Sequence, residues 1–575
     1  MHRLLPFLRW LPEVRQPGVW RRDLIAGVTV ATVLVPQAMA YARLAGLPPV
    51  YGLYAAFLPP VIAAFWGSSR HLATGPVAMA SLISAAAIAP LAQQGSELFI
   101  SYAILLAVMV GVLRLLLGLL RLGVLVNLLS GPVVAGFTNA AAIIIATSQL
   151  HHVLGVTAEP GTFHFETVAN VVLAAAQQAR AAPLLMAMLA GLILVGLRRR
   201  NERILVAVVV TTIVAWVTGY AGETVGEIPR GLPAFSLPAV DLSVAAQLVP
   251  GAITLTLIGL MEAMSIAKTI ATRSKQHIDV NQELVGQGLS NLVGGLFGSY
   301  AVSGSFSRSA INFASGGATG LSSAVTSVVV MLTLLLLTPL FFHLPQATLA
   351  MIIILAVLGL IRIEPIREAW RVSRRDGVFS VVTFAITLAL APQLHWGIVI
   401  GVGLSLAGYL QRTMRPHFAY LARHADGALV DADAHNLALD PHIAILRFDG
   451  RLYFGAAGFF EDKVLEALGR LPDLRFLVLD AGGINQIDAT GVQALRRVVQ
   501  DLRGIGIEVY FTRVKHSVYE LLVATDLAFE IGEDHFLDWN QHALEHLWGQ
   551  MEPSYKARSP LNVATPDAAA NVWSI

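Results

Sequence analysis

Long apolar runs, broken by short polar stretches, fill the chain from about residue 20 to Arg415 and then stop. Runs of this length and apolarity mark helices that cross a bilayer. Seven candidate spans lie near 23–42, 50–66, 75–92, 98–120, 124–149, 182–198 and 203–219. Seven more lie near 248–271, 283–298, 306–316, 320–338, 345–361, 376–391 and 395–411. The third and tenth are too short to cross a hydrocarbon core of about 30 Å alone, so they are expected to be buried in protein or to line a cavity. Beyond Arg415 the texture changes to strand-like runs at 443–448, 475–480 and 507–511, alternating with helix-period runs at 459–468, 488–502 and 514–523. That alternation predicts a small α/β sandwich.

Charge orients these spans. Arg3, Arg9, Arg15, Arg21 and Arg22 precede the first; Arg198, Arg199, Arg200 and Arg203 lie between the sixth and seventh. Lys268, Arg273 and Lys275 follow the eighth, and Arg367, Arg371, Arg374 and Arg375 precede the thirteenth. With fourteen spans all of these fall on one side, together with both termini, which the positive-inside rule makes cytoplasmic. An odd number of spans per half turns the second half upside down relative to the first, so the third and tenth segments can meet tip to tip. The predicted organisation is a cytoplasmic N-terminal segment at 1–22, a membrane domain at 23–415, a linker at 416–434, a soluble domain at 435–550 and a disordered tail at 551–575.

Composition narrows the function. The chain of 575 residues is 55% hydrophobic and 13% charged, which places it among membrane proteins. A net charge of +2 points to no nucleic-acid partner, and the absence of cysteine excludes disulfides and thiolate chemistry. Without a metal cluster, nucleophile elbow or phosphate loop, the expectation is a protein with no enzymatic activity, cofactor or metal.

Both short spans begin with a Gly/Ser/Thr-rich break: Thr74-Gly-Pro-Val-Ala78 in the first half and Gly304-Ser-Phe-Ser-Arg308 in the second. Matched breaks in two halves point to a mid-membrane transport site, and two helix N-termini aimed at one place favour an anion. Arg308 serves either as electrostatic help for that anion or as a structural ion-pair partner. Glu262, a carboxylate within the eighth span, either binds a coupling ion, H⁺ or Na⁺, when the anion binds, or forms a static salt bridge with Arg308 or Lys268. Gln37 and Tyr41 follow Pro36 at i, i+4 spacing and offer an amide and a phenol from one helix face, for a ligand or for packing.

Several motifs resemble the sulfate permease (SulP) family of anion transporters: Asp23-Leu-Ile-Ala-Gly27, Val35-Pro-Gln37, the stretch from Pro49 to Arg70, Gly136-Phe-Thr138, Ser148-Gln-Leu150 and Ser305-Phe-Ser-Arg308. The run from Leu479 to Gly491 is similar to the strand–turn–helix of a STAS domain. The resemblance implies a fourteen-helix inverted repeat with core and gate domains, a cytoplasmic STAS domain, and a homodimer working by elevator-type motion. It implies an anion site lined by Gln37, Tyr41, Thr74, Val77, Ala78, Phe306, Ser307 and Arg308, with Glu262 as the coupling residue. Na⁺-coupled relatives have a hydroxyl one turn beyond that acid; Ile266 stands here, which favours H⁺. Bacterial STAS relatives carry an acceptor serine where Ala489 stands, with Thr490 next.

The expected function is secondary transport of a small oxyanion of the sulfate type by proton symport, in the bacterial inner membrane. Bicarbonate or C4-dicarboxylate transport, Na⁺ symport, and an uncoupled exchanger or channel are the alternatives. Expected partners are the anion, H⁺, membrane lipid, a second copy of the chain and a cytoplasmic regulatory protein at the STAS domain. A nucleobase transporter fits less well, because Arg308 and the STAS domain argue against it.

Overall fold

The computed structural model describes residues 5–128, 130–159, 161, 163–178, 180–200, 202–238, 241–391 and 393–562. Arg3 and positions 563–575 lie outside that set. The chain divides into two compact units, Met1–Ser405 and Leu406–Ile575.

Each of the fourteen apolar segments contains a helix; the first thirteen lie in the first unit, and the fourteenth crosses the boundary at Ser405. The first half holds α1 (Val19–Leu44), α2 (Pro49–Trp66), a short strand β1 (Ala73–Gly75), α3 (Ala78–Ile88), α4 (Glu97–Leu119) and α5 (Gly131–Ser148). It continues through α6 (Leu150–Leu154), α7 (His164–Gln178), α8 (Ala181–Gly196) and α9 (Arg203–Thr218). The second half holds α10 (Leu242–Ser274), α11 (Val280–Leu296), strand β2 (Ser303–Ser305), α12 (Phe306–Ala314), α13 (Leu321–Leu332), α14 (Gln346–Leu358), α15 (Glu364–Val372), α16 (Arg374–Ala389) and α17 (His395–Met414). Among the described residues six helices are long and apolar enough to cross a membrane unaided. α3 and α12, the third and tenth segments, are among the short ones, 11 and 9 residues long.

The Asp23-to-Gly27 motif has a packing explanation. Asp23, fully buried, accepts hydrogen bonds from the Ala318 and Thr319 N–H groups at 2.6 and 3.1 Å and from the Thr319 hydroxyl at 2.6 Å. Those donors lead into α13. One turn further along α1, a Cβ on Gly27 would stand 2.5 Å from the Ser322 carbonyl oxygen, so only glycine lets α1 and α13 approach this closely. The Thr326 hydroxyl then donates to the Gly27 carbonyl at 2.9 Å. On the N-terminal side, the Trp10 ring stacks on Phe65 at 6.0 Å and Arg70 pairs with Glu13 at 2.7 Å, which ties the leading segment to α2 and the turn after it.

The second unit is an α/β sandwich. Its sheet comprises β3 (His417–Arg423), β4 (Leu429–Asp431), β5 (Ile443–Asp449), β6 (Phe476–Asp480), β7 (Glu508–Thr512) and β8 (Phe536–Leu537), in the spatial order β4-β3-β5-β6-β7-β8. β5 to β8 run parallel, and β3 is antiparallel to both its neighbours. The helices are α18 (Ala432–His435), α19 (Phe454–Arg470), α20 (Ala489–Gly504), α21 (His516–Ala524), α22 (Leu527–Ile531), α23 (Asn540–Gly549) and α24 (Tyr555–Arg558). β6 is buried throughout because both its faces are covered. Leu477 and Leu479 join the core that includes Phe460 and Val499, while Phe476 and Val478 join the one that includes Leu547 and Trp548.

Two sequence boundaries need correction here. The stretch 416–434 is no linker, since it contributes β3, β4 and most of α18 to the sandwich. Its strand pattern is masked by the polar residues of the exposed turn, His424 to Gly427. The described part of the predicted disordered tail is ordered: Tyr555 and Ser559 both donate to the buried Asp440 carboxylate at 2.5 Å, and Leu561 is 1% exposed. A segment without periodicity is held here by two hydroxyls and one apolar anchor.

Candidate functional site

β1 and β2 pair antiparallel, with Thr74 opposite Gly304 and Gly75 opposite Ser303. Each strand turns directly into a helix, β1 into α3 and β2 into α12, so the two sequence breaks meet as a two-stranded seam with a helix N-terminus at each end. Val77 and Ser305 are the residues before the first helical turns, and neither caps its helix through a side chain. The first backbone N–H groups of both helices are thereby left without intrahelical acceptors.

Buried polar side chains hold the seam. Arg114 of α4 donates to the Val302 carbonyl at 2.9 Å and the Leu255 carbonyl at 2.8 Å. Asn291 of α11 bonds the same Val302 at both its carbonyl and its N–H, at 3.1 and 2.9 Å. On the β1 side, Ala73 N–H donates to the Ser309 hydroxyl at 2.8 Å, and Gln287 donates to the Thr74 hydroxyl at 2.7 Å. Glu283, 1% exposed, accepts from the N–H groups of Ser68 and Ser69 at 2.8 Å each, fixing the turn that feeds β1.

A cavity of about 670 Å³ opens beside the seam, within the size range of ligand sites. It brings together seven of the residues named from the sequence, Gln37, Tyr41, Val77, Ala78, Phe306, Ser307 and Glu262. Gln37 and Tyr41 are buried in the wall at 4% and 6% exposure, and among the described residues the Gln37 side-chain Oε1 has no hydrogen-bond partner. Phe306 and Ser307 are exposed, as α12 begins at the cavity surface.

Two expected residues stand elsewhere. Thr74 is 1% exposed and its hydroxyl is engaged by Gln287, so it serves the seam and does not line the cavity. Arg308 is fully buried behind the lining, and among the described residues its Nε, Nη1 and Nη2 have no hydrogen-bond partner. One α-helical residue past Ser307, its side chain turns away from the open side and toward the seam, where a Cβ on Gly75 would lie 3.4 Å from its Nη2. It is neither a lining residue nor, among the described residues, an ion-pair partner.

Glu262 lines the cavity and is half-buried; among the described residues it makes no ion pair, so the salt bridge to Arg308 or Lys268 is not formed. Ser265 and Ile266, at i+3 and i+4, share its face and its cavity. Helical spacing from Glu262 could have found the Ser265 hydroxyl. Arg198, Arg203 and Arg362 also line the cavity and were missed as site residues. In the sequence the first two stand out only as basic residues that orient the spans.

Interrupted helices that meet tip to tip beside a cavity, in a bundle of apolar helices, define a membrane transporter, and the helix polarity selects anions. The sulfate permease family profile matches residues 20–383 and the STAS domain profile residues 435–541. The chain belongs to the sulfate permease family, and is a multi-pass membrane protein of an anion-transporting family with a C-terminal STAS domain. It is 36% identical over 561 residues to sulfate transporter 4.1, chloroplastic, of Arabidopsis thaliana, covering 93% of this chain and 81% of that one. It is 30% identical over 565 residues to the sodium-independent sulfate anion transporter of Bos taurus, covering 92% and 89%. The fold resembles the murine Slc26a9 anion transporter in the inward-facing state, with TM-score 0.83 and 25% identity over 95% of this chain and 94% of that one.

Proposed function

We propose that this anion transporter carries a small oxyanion of the sulfate type, by proton symport and an elevator-like movement of the α3–α12 seam. The observation that carries the reading is that seam: it brings two uncapped helix N-termini to the wall of one cavity, where a tetrahedral oxyanion can accept backbone N–H bonds from both sides. Arg308 lies behind the wall and adds positive potential without touching the ion. The names of the two relatives above favour sulfate, and the bovine relative is described as sodium-independent.

Glu262 is the coupling residue in this reading. A carboxylate in an anion cavity, with no cation paired to it, repels the cargo until a proton neutralises it. Fourteen crossings in two inverted halves, both termini in the cytoplasm, a homodimer in the bacterial inner membrane, and a regulatory protein at the STAS domain complete the proposal. In this topology the cavity, with arginines at its mouth, faces the cytoplasm.

The test is uptake into proteoliposomes of labelled sulfate, bicarbonate and fumarate, with pH and Na⁺ gradients imposed separately. Sulfate accumulation driven by an inward proton gradient supports the reading. Drive from Na⁺ with none from H⁺ contradicts the coupling, and preference for bicarbonate or fumarate contradicts the cargo.

A further inference from the structure

The ends of three helices converge at the outer part of the cavity. Arg198 follows α8, Arg203 opens α9 and Arg362 follows α14; all three are exposed, whereas Gln37, Tyr41, Val77 and Ala78 at the inner wall are buried. Each of the three arginines lines the same cavity as the seam. Among the described residues none makes an ion pair, and the only carboxylate in the lining is Glu262. Arg203 also sits on the first turn of the 16-residue α9, at the positive end of its dipole. Three exposed arginines and one helix N-terminus therefore line the cavity beside the seam, and low-dielectric walls focus their field within it.

From this geometry we propose that Arg198, Arg203 and Arg362 form a second, outer anion-binding site, where an oxyanion is held before it reaches the seam. The site raises the local anion concentration and speeds association from the cavity's open side only. It takes any small oxyanion, because exposed guanidinium groups reached from several directions recognise charge and oxygen acceptors and not one shape. The inference rests on the transport reading for the identity of the ion, and its test does not depend on transport.

The absence of cysteine makes that test clean. Ser265, exposed in the cavity wall, is replaced in Ser265→Cys, and the thiol is reacted with an anionic and a cationic thiosulfonate reagent in the full-length protein. The anionic reagent should react faster than its own thiol chemistry in free cysteine predicts. Combining R198Q, R203Q and R362Q should lower the anionic-to-cationic rate ratio by at least about 5-fold at low ionic strength. At ~0.5 M salt the difference should shrink to within about 2-fold. The charge-preserving set R198K, R203K and R362K should keep the ratio, which separates charge from any change in folding. An unchanged ratio in the Gln set, a change insensitive to salt, or an equal loss in the Lys set would overturn the outer site. Failure of sulfate uptake with the ratio behaving as stated would instead count against the transport reading alone.

Discussion

Among the described residues, Arg308 is fully buried with three unbonded guanidinium nitrogens, and Glu262 is a half-buried carboxylate with no ion-pair partner. A group that acts by its field needs charge, and a group that grips needs its fork. Arg308→Met should therefore weaken sulfate binding by about 1–3 kcal/mol, roughly 5- to 150-fold in Kd, while Arg308→Lys retains most of the affinity. Equilibrium binding of labelled sulfate to purified protein reads this, and equal losses in both variants would mean that Arg308 contacts the ion directly. Glu262→Gln fixes a neutral side chain in place of a titrating one. It should abolish accumulation driven by a proton gradient and leave anion exchange intact, measured by counterflow in the same vesicles. Proton-driven accumulation that survives the change would move the coupling site elsewhere. These residues show how far sequence reaches at this scale. Gln37, Val77, Ala78 and Ser307 were legible because a helix break and a motif fix their side of the backbone. Thr74 and Arg308 stand off the cavity because one hydrogen bond from Gln287 and a single-residue step along α12 decide which way they face.

The elements were more legible than the contacts between them. Apolar run length found a helix in every span, and the Gly/Ser/Thr breaks found both ends of the seam. The antiparallel pairing of β1 with β2 has no period in three residues per strand, so sequence offered the breaks and not the ladder. Arg114 reaches Val302 across 188 residues and Gln287 reaches Thr74 across 213, so neither contact leaves a local pattern, and Asn291 is one polar residue among several on α11. Close approach is likewise hidden until two helices are seen together. Gly27→Ala puts a methyl 2.5 Å from the Ser322 carbonyl oxygen, so it should cost at least about 2 kcal/mol. Gly196→Ala, at a position with open space for a Cβ, should be neutral or slightly stabilising. Thermal unfolding in detergent compares the two, and equal melting temperatures would show that α1 and α13 do not depend on the contact. In the STAS unit, the core strands were plain from their short apolar runs. The segment ending at Leu561 was not, because hydroxyl-to-Asp440 bonds leave no pattern.

For the whole molecule, the family and its cargo class follow from motifs, composition and relatives, whereas the working of the protein depends on where an anion rests. In the proposed site the anion rests against the first turns of α3 and α12, between Val77–Ala78 and Phe306–Ser307, with Arg308 behind the wall. Selenate has the shape and charge of sulfate and can be located by the anomalous scattering of selenium. The most direct measurement is a crystal of the full-length protein soaked in selenate, at a concentration that saturates sulfate uptake, with data collected at the selenium edge. An anomalous peak within hydrogen-bonding distance of both helix N-termini, with or without a second peak among Arg198, Arg203 and Arg362, is the predicted result. A peak confined to another part of the protein, or none at a concentration shown to compete with sulfate, would contradict the seam as the transport site.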